Sequence, residues 1–168
     1  MIQVQTLESP IGPLTTAGRG GRVCLLHFGP DEPAIDDLFE RWYPGEPRTR
    51  GRLPEIETLL RRYFGGDLAV LDTIPVELNG TAFQKQVWQA LRRIPSGSTI
   101  SYGELARRIG NPSAIRAVGT ANGANPVAVI VPCHRVIGSD GSLTGYGGGL
   151  DRKQWLLSHE GVSVPRLF

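Results

Sequence analysis

Apolar and polar positions alternate with two different periods along this chain, and the change of period marks out its elements. Ile2–Leu7 shows mixed alternation and reads as a strand, as do Leu14–Ala17 and Val23–Phe28. The breaks between them, Ser9-Pro10-Ile11-Gly12-Pro13 and Gly18-Arg19-Gly20-Gly21, are turn sequences, so an antiparallel meander is expected. The period then becomes helical. Ala34, Ile35, Leu38, Phe39 and Trp42 share one face of a helix capped by Asp31 and running to about Tyr43, where Pro44-Gly45 stops it. Gly45–Leu53 is polar and rich in Pro, Gly and Arg, and reads as a loop. A second helix starts at Pro54, carries Ile56, Leu59, Leu60, Tyr63 and Phe64 on its apolar side, and ends at Gly65-Gly66. Leu68–Leu78, interrupted by Pro75, reads as an edge strand or a linker.

Beyond residue 80 the pattern is mostly helical. Thr81-Ala82-Phe83-Gln84 is a capping box, and the helix behind it places Phe83, Val87, Leu91 and Ile94 at helical spacing before Pro95-Ser96-Gly97. Ser101 caps a short helix with Leu105, Ala106 and Ile109 inward, broken by Gly110. Asn111 as cap and Pro112 as first helical residue begin another, running to about Asn122. Helix, short glycine turn and helix is the helix-turn-helix pattern. The second helix is slim, with Ala114, Ala117, Gly119 and Ala121, and Arg116 projects from it. Such a helix suits close approach to nucleic acid; the plainer alternative is tight packing of two core helices. Val127–Val131 is an unbroken apolar run and reads as a buried strand. A turn follows at Ile137–Ser142, then the glycine-rich Gly145–Gly149 loop, and a last helix Asp151–Glu160 capped by Asp151. The glycine-rich loop lacks the lysine and spacing of a phosphate-binding loop, so its use is to bring backbone amides close to a ligand.

Composition sharpens this picture in two places. The 168 residues, 40% hydrophobic and 20% charged, suit a soluble globular protein of one large or two small domains. The net charge of +2 conceals an asymmetry. Residues 1–75 carry 8 arginines against 11 acidic residues, while residues 76–168 carry 10 basic against 5 acidic. The basic half suits a polyanionic partner. A basic N-terminal start and an apolar signal core are missing, no apolar run reaches membrane-spanning length, and two cysteines make no disulfide framework. A cytoplasmic protein is expected, with no membrane partner.

Chemistry concentrates at Val131-Pro132-Cys133-His134-Arg135-Val136. Pro132 ends or bends the apolar run, which places Cys133 at its end beside His134. A thiol is a strong nucleophile only as thiolate, and a neighbouring base or cation promotes ionisation. Cys133 is otherwise a small core residue. His159 or Glu160 on the last helix could orient His134, completing nucleophile, base and orienter; His159 also suits a simple helix-terminal cation.

The chain from about residue 75 to 161 resembles the O6-alkylguanine-DNA alkyltransferases. The resemblance rests on Arg116-Ala117-Val118-Gly119, Asn125-Pro126, Pro132-Cys133-His134-Arg135-Val136, Gly145-Tyr146-Gly147-Gly148-Gly149, and Trp155-Leu156-Leu157 through Glu160-Gly161. Ser9-Pro10-Ile11-Gly12-Pro13-Leu14 is similar to the opening of bacterial members. The resemblance implies an α+β protein. A ribonuclease-H-like α/β domain would occupy residues 1–75 and a linker 76–80. A mainly helical, winged-helix-like domain with the helix-turn-helix would occupy 81–168. It implies a single-turnover repair protein that binds duplex DNA in the minor groove, flips out alkylated guanine and takes the alkyl group onto Cys133 irreversibly.

By the same resemblance His134 is the base acting through a water, and Glu160 orients it. Tyr102 donates to the leaving guanine and helps rotate the phosphate, and Asn125 braces the active-site turn. Arg116 fills the vacated stack, with Ser113, Ala117, Tyr102 and Arg135 also at the DNA. Val136, Tyr146, Gly147 and Gly148 line the guanine pocket. No cofactor is expected. Some members hold zinc in the first domain, but Cys24 and His27 are the only cysteine and histidine in that half, so no zinc is expected here. A monomer in solution is expected, with cooperative assembly on DNA left open. Two rivals remain: a lesion-sensing DNA-binding module without chemistry, and a thiol hydrolase built on Cys133, His134 and Glu160. The second leaves Tyr102, Arg116 and the slim helix unused.

Overall fold

The structure is a computed structural model that describes residues 1–30 and 33–163. The chain divides into two compact units, Met1–Gly80 with Pro126–Ile130, and Thr81–Asn125 with Val131 onward. It is a mixed α+β protein.

In the first unit, strands β1 (Ile2–Leu7), β2 (Leu14–Arg19) and β3 (Arg22–Phe28) form the expected antiparallel meander. Its tight β2–β3 return requires glycine at position 18, where a Cβ would lie 2.4 Å from the Arg22 carbonyl oxygen. The sheet order is β3-β2-β1-β4, because β4 (Arg48–Arg50) adds to β1 in parallel. That strand replaces the loop expected at Gly45–Leu53. Its three residues are exposed edge residues, so no burial pattern marks them. Arg48 pairs with Asp36 and lies 4.3 Å over the Phe39 ring, fastening β4 to helix α1 (Pro33–Trp42). Asp31, expected as the cap of α1, lies outside the described residues. Ile35, Phe39 and Trp42 are the buried side of α1; Ala34, expected there, is exposed.

Helix α2 (Pro54–Phe64) begins at Pro54 and buries Ile56, Leu60 and Tyr63. Gln5, which sequence reasoning passed over, holds its start: the amide donates to the Leu53 carbonyl at 3.3 Å and accepts from the Leu53 N–H at 3.1 Å. Leu68–Thr73 is a 3₁₀ helix rather than an edge strand. Val76, read as linker, pairs with Val23: the Pro75 carbonyl accepts from Val23 N–H at 2.9 Å, and Glu77 N–H donates to the Val23 carbonyl at 2.8 Å. Proline lacks the donor but keeps the acceptor, which is all this bridge asks of it.

The apolar run Val127–Val131 is not a strand. Val127 makes one bridge to Leu26, and the chain then turns, with Ile130 N–H bonded to the Ala128 carbonyl at 2.8 Å and Val129 at φ 70°. Val127, Val129, Ile130 and Val131 are all buried, so the apolar pattern reported burial and not backbone shape.

In the second unit, helices α3 (Ala82–Leu91), α4 (Tyr102–Arg108) and α5 (Ile115–Gly123) pack against one another. Buried Trp88 of α3 donates from its indole to the Ala121 carbonyl of α5 at 2.9 Å. The Thr81–Gln84 capping box is present, and the Ser101 hydroxyl accepts from Glu104 N–H at the start of α4. Gly110 follows α4 with φ 77°. Helix α5 starts at Ile115, not Pro112. Asn111 instead opens a turn, with its carbonyl accepting from Ala114 N–H at 3.0 Å. Asn111-Pro112 is equally a turn-initiating pair, and here the turn wins.

Two short strands, β5 (Ile100–Ser101) and β6 (Val136–Ile137), pair in parallel and were not expected from the sequence. The turn at Ile137–Ser142 closes with Gly138 N–H on the Ser142 carbonyl at 2.9 Å. Helix α6 spans Leu150–His159, and Gly149, not Asp151, occupies its cap position. No helix among the described residues is long and apolar enough to cross a membrane.

Thr81→Ala removes the capping hydroxyl of α3 and is expected to cost about 1 kcal/mol in urea unfolding, an effect absent from the α3 surface substitution Gln89→Ala. Equal effects from both would discount the cap.

Candidate active site

The active-site backbone is set before its side chains. The chain leaves the second unit at Asn125 and returns at Val131. Asn125 pins the two ends of this excursion by donating its amide to the Val131 carbonyl at 2.7 Å. The same carbonyl accepts Cys133 N–H at 2.8 Å, and Arg135 N–H bonds to the Pro132 carbonyl at 3.0 Å. Cys133–Arg135 thereby forms a single 3₁₀ turn, which delivers Cys133, His134 and Arg135 to the interior of the unit. Strand β6 leaves this turn beside β5, so Val136 lies opposite Ile100, two residues before Tyr102. That pairing brings the start of α4 to the nucleophile's segment.

Cys133 is 6% exposed. Burial pushes its thiol up, against the polar side chains of Asn125 and Tyr146 and the positive charge of Lys153, which favour the thiolate. His134 and Glu160 are buried, with His134 Nε2 at 3.0 Å from Glu160 Oε2. Burial lowers His134 below its ordinary value, opposed by its bond to Glu160. Burial also pushes Glu160 up, but hydrogen bonds from Arg135 and His134 outweigh it and hold the carboxyl well below the usual range. His159 instead stacks on Trp155, with ring centroids 4.7 Å apart, and the carboxylate that meets His134 is that of Glu160.

Arg135 requires a correction. It is 1% exposed and donates inward, from Nε to Glu160 Oε1 and from Nη2 to Glu160 Oε2, both at 2.8 Å. Nη1 donates to the Ile94 carbonyl at 2.6 Å and Nη2 to Ser96 Oγ at 3.1 Å. A guanidinium spent in this way has no reach to a phosphate, so Arg135 is not a DNA contact. Its adjacency to His134 gave no sign that the 3₁₀ turn would point both side chains inward.

The other expected residues of the same unit range from exposed to fully buried. Ser113, Arg116 and Ala117 are exposed on α5 and the turn before it, beside Ile115, an exposed large apolar side chain. Tyr102 is half-buried; its hydroxyl donates to the Thr144 carbonyl at 3.5 Å, and its ring lies 3.8 Å from where a Cβ on Gly119 would be. Tyr146 and Gly148 are half-buried, and Gly147 is exposed. Val136 is fully buried.

Lys153 was missed. It is fully buried on α6, and its ammonium donates to the Val136 carbonyl at 2.7 Å, the Thr144 carbonyl at 2.8 Å and the Gly145 carbonyl at 3.5 Å. It joins the strand after the nucleophile to the glycine-rich loop. Burial lowers it to about 8, partly opposed by Cys133. The only sequence signal was a lysine on a helix whose other inward positions, Leu156 and Leu157, are apolar.

In the first unit, burial raises the Cys24 thiol to about 12. No group of three His, Cys, Asp or Glu side chains placed to hold a metal ion occurs among the described residues, so this donor set does not fit a zinc site.

Residues 82–162 match the model of the 6-O-methylguanine DNA methyltransferase DNA-binding domain. The chain is similar to the methylated-DNA–protein-cysteine methyltransferase of Salmonella typhimurium, 61% identical over 161 residues, covering 94% of each chain. It is also similar to the crystal structure of Mycobacterium tuberculosis O6-methylguanine methyltransferase, with a TM-score of 0.79, 44% identity, and coverage of 99% of this chain and 98% of that one. A second structure of the Mycobacterium tuberculosis protein, in complex with DNA, matches with a TM-score of 0.79 and 44% identity over 94% of this chain and 92% of that one. A buried thiol, histidine and carboxylate thus go with full-length likeness to methylated-DNA–protein-cysteine methyltransferases. The chain belongs to the methylated-DNA–protein-cysteine methyltransferase family.

The buried charges govern how stability responds to pH and to substitution. His134 and Glu160 both have depressed folded values. Each contributes stability that is present above its unfolded value, about 6.5 and about 4.3, and is lost as pH falls. Glu160→Gln is expected to cost about 3–5 kcal/mol at pH 7, a gap that narrows below about pH 4; a pH-independent gap in urea unfolding would contradict this. Lys153→Met, which leaves the Val136 and Thr144 carbonyls without their donor, is expected to cost about 1–3 kcal/mol. It should also speed amide exchange across residues 144–149, and unchanged exchange there would contradict the tie.

Proposed function

We propose that this chain reverses alkylation damage by moving the alkyl group from O6 of a guanine in duplex DNA to its own Cys133, once and irreversibly. The observation that carries this reading is the buried His134–Glu160 pair at 3.0 Å, adjacent in the chain to a buried thiol. Glu160 accepts from Nε2, so Nδ1, buried and with no hydrogen-bond partner, is the nitrogen left for proton transfer. The Cys133 proton passes through a water to Nδ1. The sulfur then attacks the alkyl carbon, the S–C bond forms as the C–O6 bond breaks, and the electron pair leaves with guanine. Tyr102 stabilises that departing charge by hydrogen bonding.

A thiol 6% exposed cannot reach a base inside the stack, so the base must be extruded. The exposed face of Ser113, Arg116 and Ala117 supports entry of α5 into the minor groove, where small side chains permit close fit and Arg116 fills the vacated stack. The basic balance of residues 76–168 supplies attraction to phosphates without sequence preference. Asn125 braces the nucleophile's turn. Val136, Tyr146, Gly147 and Gly148 form the guanine pocket, with the Val136 carbonyl already held by Lys153. We read the first unit as ribonuclease-H-like, and the second as winged-helix-like with α4 and α5 as its helix-turn-helix. The protein works as a cytoplasmic monomer.

The test is intact-protein mass after mixing with a duplex carrying O6-methylguanine. The expected result is a stoichiometric, saturating gain of one methyl in place of a hydrogen, absent in Cys133→Ser. Tight binding without a mass gain would make the chain a lesion sensor, and repeated turnover of a small acyl substrate would make it a thiol hydrolase.

A further inference from the structure

We infer that Arg135 is a positioning residue that decides which ring nitrogen of His134 carries the proton. The inference deepens the reading of His134 as the base and rests on it. A neutral imidazole has one N–H and one lone pair, and the partner of one nitrogen fixes the other. Here Nε2 faces Glu160 and Nδ1 is buried without a partner. If Glu160 is ionised it only accepts, so Nε2 bears the hydrogen and Nδ1 offers a lone pair. If Glu160 were neutral its own O–H would donate to Nε2. The ring hydrogen would then sit on Nδ1, and His134 would be useless as a base.

Burial alone favours the neutral carboxyl. Arg135 opposes this by placing one N–H on each Glu160 oxygen, both at 2.8 Å, from a group that does not lose its proton. The guanidinium is itself held by the Ile94 carbonyl and Ser96 Oγ, just beyond the end of α3. The other charged or titratable groups acting on His134 and Cys133 are Lys153 and Tyr146. Lys153 directs its ammonium at the Val136, Thr144 and Gly145 carbonyls. Arg135 thus sets a permanent positive charge directly on the Glu160 carboxylate.

The experiment is the ring ¹⁵N spectrum of His134 in the full chain at pH 7, with alkyl transfer from an O6-methylguanine duplex measured alongside. The wild type is expected to show a neutral ring with Nε2 protonated and Nδ1 bare. Arg135→Met is expected to move the hydrogen to Nδ1 and slow transfer about a hundredfold, the loss of a general base. Arg135→Lys, which keeps a cation beside Glu160, is expected to retain the wild-type tautomer and recover much of the rate. An Nδ1-protonated ring or an imidazolium in the wild type overturns the inference without any variant. So does an Arg135→Met protein that melts lower but keeps the wild-type ring pattern, since that describes a structural brace only. Failure of the alkyltransferase reading shows separately, as wild-type protein that gains no methyl whatever its ring spectrum.

Discussion

A carboxylate buried away from water must be paired or protonated, and the second unit is arranged around the first solution. Glu160 follows the last turn of α6, and its carboxylate accepts twice from Arg135 and meets His134 Nε2. Removing one member of such a buried set costs about 3–5 kcal/mol, whereas an exposed ion pair is worth about 1 kcal/mol or less. The charges on Glu160 and Arg135 therefore outweigh the surface pairs Arg107–Glu104 and Arg108–Glu104 in deciding how this unit is built. They gather three segments distant in sequence: the exit of α3 at Ile94–Ser96, the Cys133–Arg135 turn and the exit of α6. Gly97 lets the first of these approach the third, since a Cβ there would lie 3.2 Å from the Glu160 carbonyl oxygen.

The backbone around the nucleophile is held by the same economy of donors. Asn125 satisfies the Val131 carbonyl where the chain re-enters the unit, and Lys153 satisfies carbonyls on both sides of the Ile137–Ser142 turn. The Val131 and Thr144 carbonyls lie in irregular segments and the Val136 carbonyl in a strand of only two residues, and an unpaired buried carbonyl is costly. The side chains fixing the active-site backbone are thus polar residues in an otherwise apolar interior, which also lends Cys133 a nearby positive charge.

Much of this was legible in the sequence, for identifiable reasons. Cys133, His134 and Glu160 stood out because reactive types beside an apolar run are conspicuous, and the capping pairs Thr81–Gln84 and Ser101–Glu104 follow local chemistry alone. What was misread depended on tertiary direction. Val127–Val131 is as apolar as a buried strand, yet it turns at Val129. Arg135 is the residue type of a surface cation and lies inside, because the whole Cys133–Arg135 turn is enclosed and Glu160, Ile94 and Ser96 take up its guanidinium. Lys153 sits on a helix face with apolar neighbours, and only the fold supplies its three carbonyls. The strands β4, β5 and β6 are two or three residues long, too short to carry a period.

Glu160 stays ionised inside the protein because Arg135 holds both its oxygens, and the placing of the proton on the His134 ring depends on this charge. The most direct measurement is the side-chain carboxyl ¹³C shift of Glu160 between pH 8 and the acid unfolding limit. The carboxylate is expected to stay ionised throughout, with no titration near the ordinary value of about 4.3. Protonation of Glu160 at or above that value, in the folded protein, would contradict it.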